Sequence, residues 1–470
     1  MNKDCSCWRL RPLGFESLLF ATLLTGCFVS SASAIETSVG EVDISSTTRY
    51  QLQWAASPDK KLLPNETSDQ DFSELLGVQY ESSKIDGLSF SFLGKYSKDL
   101  DGTAEGSVFQ DYLDVSSKER QRLDAYYAYA EKKDIVPGLD MRLGRQYVYG
   151  AEVVHFDGLW MKADRLLDNR FSVEAFGGQI VQMYSDLTKN EVGGVNVGYY
   201  PMKELALYLN SVFYVENSFE AQAYWRPMEG LKVNGRWELL NTRNREASLD
   251  IIGDIHATDT TVGVNVFRRF KIAQHTLEDF LFDYTSSLET INNIKRLYLS
   301  REEAYTQYTL SLSQPIPHQK GLSVFARGTV RNLDHDNAET LYTTDFYSLT
   351  GGINLDEWLG LKGFHLSTGL TWWWENRNRM YEAESRSVFL DARQALPYKL
   401  ELSGGFYYKD EDVNSMIENE GSTHYYGALK YKFAKEKWAE AKYEYERDDY
   451  YKEFGVGEIN MLTLTLHANF

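Results

Sequence analysis

The chain reads as an all-β protein, a transmembrane antiparallel up-and-down β-barrel of about 22 strands within a range of roughly 18 to 24. Three observations point there. Segments of about ten residues alternate apolar and polar side chains, the pattern of a strand with one face in lipid and the other in water. After residue 34 no uncharged apolar run reaches the length of a membrane helix, charged residues make up 25% of the sequence, and aromatic residues make up 14%, suiting interfacial girdles. Short turns also alternate with longer polar connections, as in barrels with short periplasmic turns and long external loops.

At the N-terminus, Lys3, Arg9 and Arg11 precede an uncharged stretch from Ser17 to Val29 that ends in Ala32-Ser33-Ala34. This is the layout of a secretory signal peptide cleaved before Ile35, so residues 1–34 are read as signal and 35–470 as one barrel domain. Leu24-Thr25-Gly26-Cys27 offers a rival lipoprotein site with Cys27 lipidated. Cys5, Cys7 and Cys27 all lie before Ala34, so the mature chain is expected to carry no thiol. That suits export and excludes haem attachment by Cys-x-x-Cys-His, a zinc ribbon, a disulfide framework and a thiol nucleophile. Residues 35–41 alone precede the first strand, and no plug domain is expected.

Clear strands are Leu88, Phe90 and Phe92 against Ser89 and Ser91, and Leu231, Val233, Gly235, Trp237 and Leu239 against Lys232, Asn234, Arg236 and Glu238. Residues 322–331, 364–374 and 400–408 follow the same rule. Short turns are expected at 85–87, 136–138, 167–169, 201–203, 227–230, 272–273, 315–321, 359–363, 396–398 and 435–437. Longer connections are expected at 57–73, 98–118, 241–258, 286–303, 332–343, 409–421 and 447–457. Ten short turns with both termini on the same side give the strand count.

The chain ends in an unbroken alternation, with Leu462, Leu464, Leu466, Ala468 and Phe470 on one face and Thr463, Thr465, His467 and Asn469 on the other. A terminal aromatic with apolar residues at every second position resembles the signal by which Gram-negative barrels are recognised by the assembly machinery. The cell outer membrane, with its lipid and lipopolysaccharide, is the implied location.

Placing apolar residues outward turns Lys95, Arg122, Arg142, Lys162, Lys232, Arg236, Arg327, Arg331, Arg393, Lys430, Lys432 and Lys442 into the lumen, because an ionised group facing hydrocarbon is costly. Glu81, Asp124, Asp164, Glu174, Glu220, Glu238, Asp283, Asp391, Glu401, Glu440 and Glu444 go with them. The wall is therefore mixed, and Arg142, Lys162, Arg236, Arg327, Arg331, Arg393, Glu174 and Glu238 are the candidate pore-lining residues. Each also reads as part of a structural ion-pair lattice. The formal net charge of −19 excludes nucleic acid as a partner, and loss of the signal makes it one unit more negative.

Arg142-Leu143-Gly144-Arg145-Gln146, then Gly150, then Phe156-Asp157-Gly158, is similar to a strand, loop and strand of the alginate-export family of outer-membrane porins. The resemblance covers about residues 139–180. It implies a barrel with a basic lumen that passes an anionic polysaccharide. Arg145 shares register with outward Met141 and Leu143, so a bulge is needed to bring it inward.

Asp334-His335-Asp336 and Asp410-Glu411-Asp412 offer oxygen ligands, but solvated loop charge is the simpler reading, and no metal or cofactor is expected. No nucleophile elbow, phosphate-cradling glycine loop or His-Glu-x-x-His occurs. The sequence therefore predicts a non-enzymatic channel for small polar or anionic solutes or polysaccharide. A second reading is the barrel sheath of a porin–cytochrome conduit, with a periplasmic or lumenal cytochrome as partner. A third is a barrel-embedded lipid hydrolase, for which Ser367 and His365 form the one same-face pair close in sequence.

Overall fold

The computed structural model describes residues 35–470 apart from 112–119, 182–190, 215–216, 271–303, 335–344, 376–382, 414–419, 450–451 and 453–454. The expected signal peptide, the Cys27 site, Asp283, His335-Asp336 and the connection 286–303 lie outside the described residues.

A short β1 (Ile35–Thr37) is followed by β2 (Gly40–Ala55), β3 (Ser68–Ser82), β4 (Leu88–Asp99), β5 (Gln121–Val136), β6 (Leu139–Tyr149), β7 (Val153–Arg165) and β8 (Phe171–Ile180). Next come β9 (Glu191–Met202), β10 (Leu205–Phe213), β11 (Asn217–Met228), β12 (Leu231–Leu240), β13 (Arg243–Ile255), β14 (Thr260–Arg269) and β15 (Tyr305–Pro315). The wall is completed by β16 (Leu322–Leu333), β17 (Phe346–Asp356), β18 (Phe364–Glu375), β19 (Ala383–Leu396), β20 (Leu400–Val413), β21 (Glu420–Ala434), β22 (Lys437–Asp448) and β23 (Glu458–Asn469). From β2 onward each strand pairs antiparallel with the next, and β23 pairs with β2, closing a barrel of 22 strands.

Register fixes the faces. Partners across a ladder share a face, so Leu462, Leu464 and Leu466 of β23 stand with Leu52, Tyr50 and Thr48 of β2. The same face carries Leu349, Leu370 and Val388 across β17 to β19, all well exposed. An exposed apolar stripe around a closed sheet is what a lipid-facing belt requires. The opposite face carries Arg327, Thr350, Thr371 and Ser387. Glu74 of β3 is an exception. It stands on the outer face with Leu76 and Phe72, satisfied by the Ser46 hydroxyl at 2.5 Å and by the Thr48 hydroxyl.

Ten short connections and both described ends of the chain lie at one end of the barrel. Nine of the turns fall where the sequence placed them. The tenth is at 256–259, between β13 and β14, not at 272–273, which lies outside the described residues. The expected long connection 241–258 is thereby corrected. Asn241 and Thr242 both adopt left-handed φ (46° and 68°) and make a two-residue hairpin, and residues 243–255 are strand β13. Elsewhere the outer connections shrink in the same way, because β3 begins at Ser68, β20 runs to Val413 and β22 to Asp448. The physical reason is common to all. Above the belt both faces of a strand meet water, so hydropathy stops alternating while the ladder continues, as where Arg386 pairs with Asp410 and Glu384 with Asp412.

Over the outer rim, Phe109 and Val456 pack with Ala55, flanked by Leu62, Val108 and Ile459. This apolar knot ties the connection after β4 to the β2–β23 seam.

A candidate functional site at an in-folded hairpin

Strands β6 and β7 stay paired along their whole length, from Leu139 with Ala163 to Tyr149 with Val153. Their neighbours let go earlier. β5 pairs with β6 only as far as Ala128 with Arg145, and among the described residues β8 follows β7 as far as Ile180 with Phe156 and the Val181 amide on the His155 carbonyl. The upper hairpin, residues 146–155, therefore leaves the wall.

Glycine permits the departure. Gly144, Gly158 and Gly178 are consecutive partners across β6, β7 and β8. Gly144 has a φ of +130°, and a Cβ there would lie 2.3 Å from the Ala128 carbonyl oxygen. A Cβ on Gly158 would lie 2.2 Å from the Gly177 carbonyl oxygen. Only a bare backbone fits at either position.

The hairpin folds inward because one of its faces is apolar. Val148, Ala151, Val154 and Phe156 bury themselves against Trp160, Phe176, Val192 and Val212, which face the lumen from β7 to β10. In a water-filled lumen those side chains would be exposed, and burying each large one contributes about 1.5–3 kcal/mol. The tip is anchored by polar contacts. The Asn196 amide of β9 donates to the Tyr149 carbonyl at 3.4 Å, and Glu152 accepts from the Ser218 hydroxyl at 2.5 Å and from Arg245 at 2.9 Å. Arg245 also approaches Glu238 (3.9 Å), and Arg236 meets Glu238 (2.9 Å), Glu246 (3.4 Å) and Glu220 (3.9 Å). The latch thus ends in a carboxylate-rich network on β11 to β13.

At the root, Arg145 and Asp157 form a bidentate pair, with both N–O distances at 2.9 Å. The β5–β6 ladder runs through Gly144 and Arg145 without the bulge that an inward Arg145 is expected to need, and Arg145 stands in register with Ala128 and Asp157. Above it, Gln146 donates to the Gly158 carbonyl at 3.1 Å and Tyr147 stacks on His155 with centroids 4.1 Å apart.

Between the hairpin's other face and the wall of β2 to β5 lies a cavity of about 710 Å³. Arg49, Lys95 and Arg142 line it together with Tyr126, Tyr127, Tyr129, Tyr147 and Tyr149. Arg142 is neutralised by Glu131 at 2.8 Å and lies over the rings of Tyr129 and Trp160. Arg49 donates to Gln51, and neither Arg49 nor Lys95 has a carboxylate partner among the described residues.

The expected pore-lining residues all occupy the inward face, but the structure divides them into two groups. Lys162 meets Asp164 at 3.0 Å, Glu174 accepts from Asn196 at 3.0 Å, and Arg236 and Glu238 sit in the network above. These are lattice members. Arg331 donates to Gln307 and stacks on Tyr305 and Phe346, and neither it nor Arg327, four residues earlier on β16, forms an ion pair among the described residues. Arg393 stands across from His365 and Ser403. His365 itself hydrogen-bonds Asp356 at 2.5 Å. Sequence reasoning missed the in-folded hairpin and its Glu152 latch. The signal available was an inward face that reads Val148, Val154, Phe156, Phe176, Val212, too apolar for a wet lumen.

No known sequence family matches the chain, and no curated protein does. Among solved structures it is similar to a BenF-like porin from Pseudomonas fluorescens Pf-5, at 12% identity over 92% of this chain and 98% of that one, with a TM-score of 0.43. It is likewise similar to OccAB3 of Acinetobacter baumannii (10% identity, 91% and 99% covered, TM-score 0.44) and to the usher PapC translocation pore (9%, 91% and 99%, 0.44).

Proposed function

We propose that this protein is an outer-membrane channel that passes small polar or anionic solutes through a lumen narrowed by its own β6–β7 hairpin. The observation that carries the reading is the hairpin: a segment of the wall, apolar on one face, is folded into the lumen and latched to the far strands by Glu152. Such an arrangement reduces the bore of a wide barrel while leaving a charged passage beside it. Arg49, Lys95, Arg327 and Arg331 face that passage without carboxylate partners among the described residues, which favours anions, whereas Arg142, Lys162 and Arg236 are already neutralised. Lipid and lipopolysaccharide surround the belt, and the alternating terminal strand ending on Phe470 supports recognition by the barrel-assembly machinery.

Purified protein in a planar bilayer tests this. A modest anion preference is expected, falling when Arg327 and Arg331 are reversed to Glu. Deletion of residues 146–155 should enlarge the conductance step. Absence of conductance, with a haem protein co-purifying, would replace this reading by the conduit sheath.

A further inference from the structure

The cavity between the in-folded hairpin and the β2–β5 wall carries an imbalance of charge that the fold itself does not resolve. Arg142 is matched by Glu131, and Arg122 by Asp124 at 2.6 Å, although Asp124 is the direct ladder partner of Lys95. Among the described residues, Arg49 and Lys95 are left as two positive charges. Arg49 pairs with Ser73, and Lys95 pairs with Leu75, two residues along β3. Strand spacing and rise put their Cα atoms on the order of 12 Å apart, a gap that two long side chains reaching to a common ligand can close.

The other lining groups narrow the ligand's chemistry. Tyr129 lies under the Arg142 guanidinium and Tyr147 against His155, so one ring face of each is taken. Tyr149, at 73% exposure, is the ring with an open face. Two cations, one of them a planar guanidinium fork, with several phenol hydroxyls around them match a tetrahedral oxyanion of charge −2 better than a single carboxylate, which would leave one cation unanswered.

We propose that this cavity binds a phosphate dianion carried by a small solute. Arg49 grips the oxyanion by its fork, Lys95 supplies the second charge, and phenol hydroxyls donate to the remaining oxygens. Tyr149 stacks on whatever ring the phosphate carries. The inference rests on the channel reading only for the purpose of the site, which would hold the solute at the narrowest part of its path.

Calorimetric titration of the folded barrel in detergent tests binding apart from conduction. The probes are inorganic phosphate and glucose 6-phosphate, with glucose and succinate as controls. Both phosphates should bind, glucose should not, and succinate should bind at least tenfold more weakly. Binding of the ester should fade as pH falls through about 6, where its dianion takes up a proton, and binding of inorganic phosphate should fade at a higher pH. The double variant Arg49→Gln/Lys95→Gln should lose at least tenfold in affinity while keeping heat-modifiable migration, and Arg386→Gln on the outer face should change nothing. A tighter ester than inorganic phosphate, with the gain lost in Tyr149→Ala, identifies the ester as the solute; equal affinities identify free phosphate. Succinate binding as well as phosphate, or unchanged affinity in the double variant, would overturn the proposal. A barrel that binds phosphate and passes no current would sink the channel reading and leave the site; current without binding would do the reverse.

Discussion

The β22–β23 and β6–β7 hairpins begin from the same alternation and end in opposite places. The first stays in the wall, with β22 paired to β21 and β23 paired to β2. The second abandons its neighbours and lies in the lumen. What differs is the inward face. Thr463, Thr465 and His467 are polar, whereas Val148, Val154 and Phe156 need apolar cover, and Gly144 and Gly158 supply a backbone able to bend. Alternation therefore assigns two faces to a strand, and composition of the inner face decides whether the strand remains in the sheet.

The largest effect is expected at the seam. The Phe470 amide and carbonyl both bond to Ile44, at 2.8 and 3.0 Å, and Lys437 sits over the Phe470 ring at 3.9 Å. Deleting Phe470 should abolish heat-modifiable barrel in the outer membrane; full yield would show that the seam closes without it.

Within the wall, Leu464→Arg should cost about 2–4 kcal/mol because it faces lipid, and Thr463→Arg much less. Equal shifts of the urea midpoint would contradict the register. In the hairpin, Phe156→Ala removes a side chain with no exposure and should cost about 3–5 kcal/mol locally. Because Phe156 stands at the last rung joining β7 to β8 and packs against the hairpin above it, the loss should appear chiefly as larger, noisier conductance with little change in the global midpoint. A global midpoint falling as far as for Leu464→Arg would mean that the hairpin is part of the wall.

The smallest effects belong to the rim, where two aspartates shift in opposite directions. Burial, reinforced by Asp99, raises the Asp101 carboxyl above its usual range, despite bonds from Gln70. The Lys452 ammonium, helped by the Gly421 amide, lowers Asp449. The contribution of Asp449 is present above its unfolded-state pKa and is lost as pH falls through the lowered folded value. Asp101 opposes folding at neutral pH, and that penalty is relieved as pH falls through the raised value. Asp101→Asn should therefore protect its connection from proteolysis at pH 7 and Asp449→Asn should expose its own. The reverse order would refute both assignments.

Much of this architecture is legible in the sequence. Short turns at Gly138 and Gly230 and the terminal alternation yield the strand number, because turn chemistry and period two are local properties. The outer connections are legible only in part: β13 begins with Arg243-Asn244-Arg245-Glu246, a run without alternation, and its pairing with β12 is visible only once the ladder is formed. The site is half legible. Arg142 to Gln146 and Phe156 to Gly158 stand out as a motif, yet their adjacency depends on pairs such as Arg145 with Asp157 across the hairpin. The contact between Glu152 and Arg245, and the cavity that Arg49, Lys95 and Tyr149 line together, join distant strands and have no signature along the chain.

The central claim is that residues 146–155 lie inside the barrel with Glu152 against Ser218. Residues 35–470 contain no cysteine, so the double variant Glu152→Cys/Ser218→Cys places two thiols where the carboxylate and hydroxyl now meet. In native membranes mild oxidation should join them, with the channel's conductance nearly unchanged. Failure to cross-link, with the thiol introduced at position 152 freely labelled from outside by a bulky membrane-impermeant reagent, would place the hairpin outside the lumen and contradict the account.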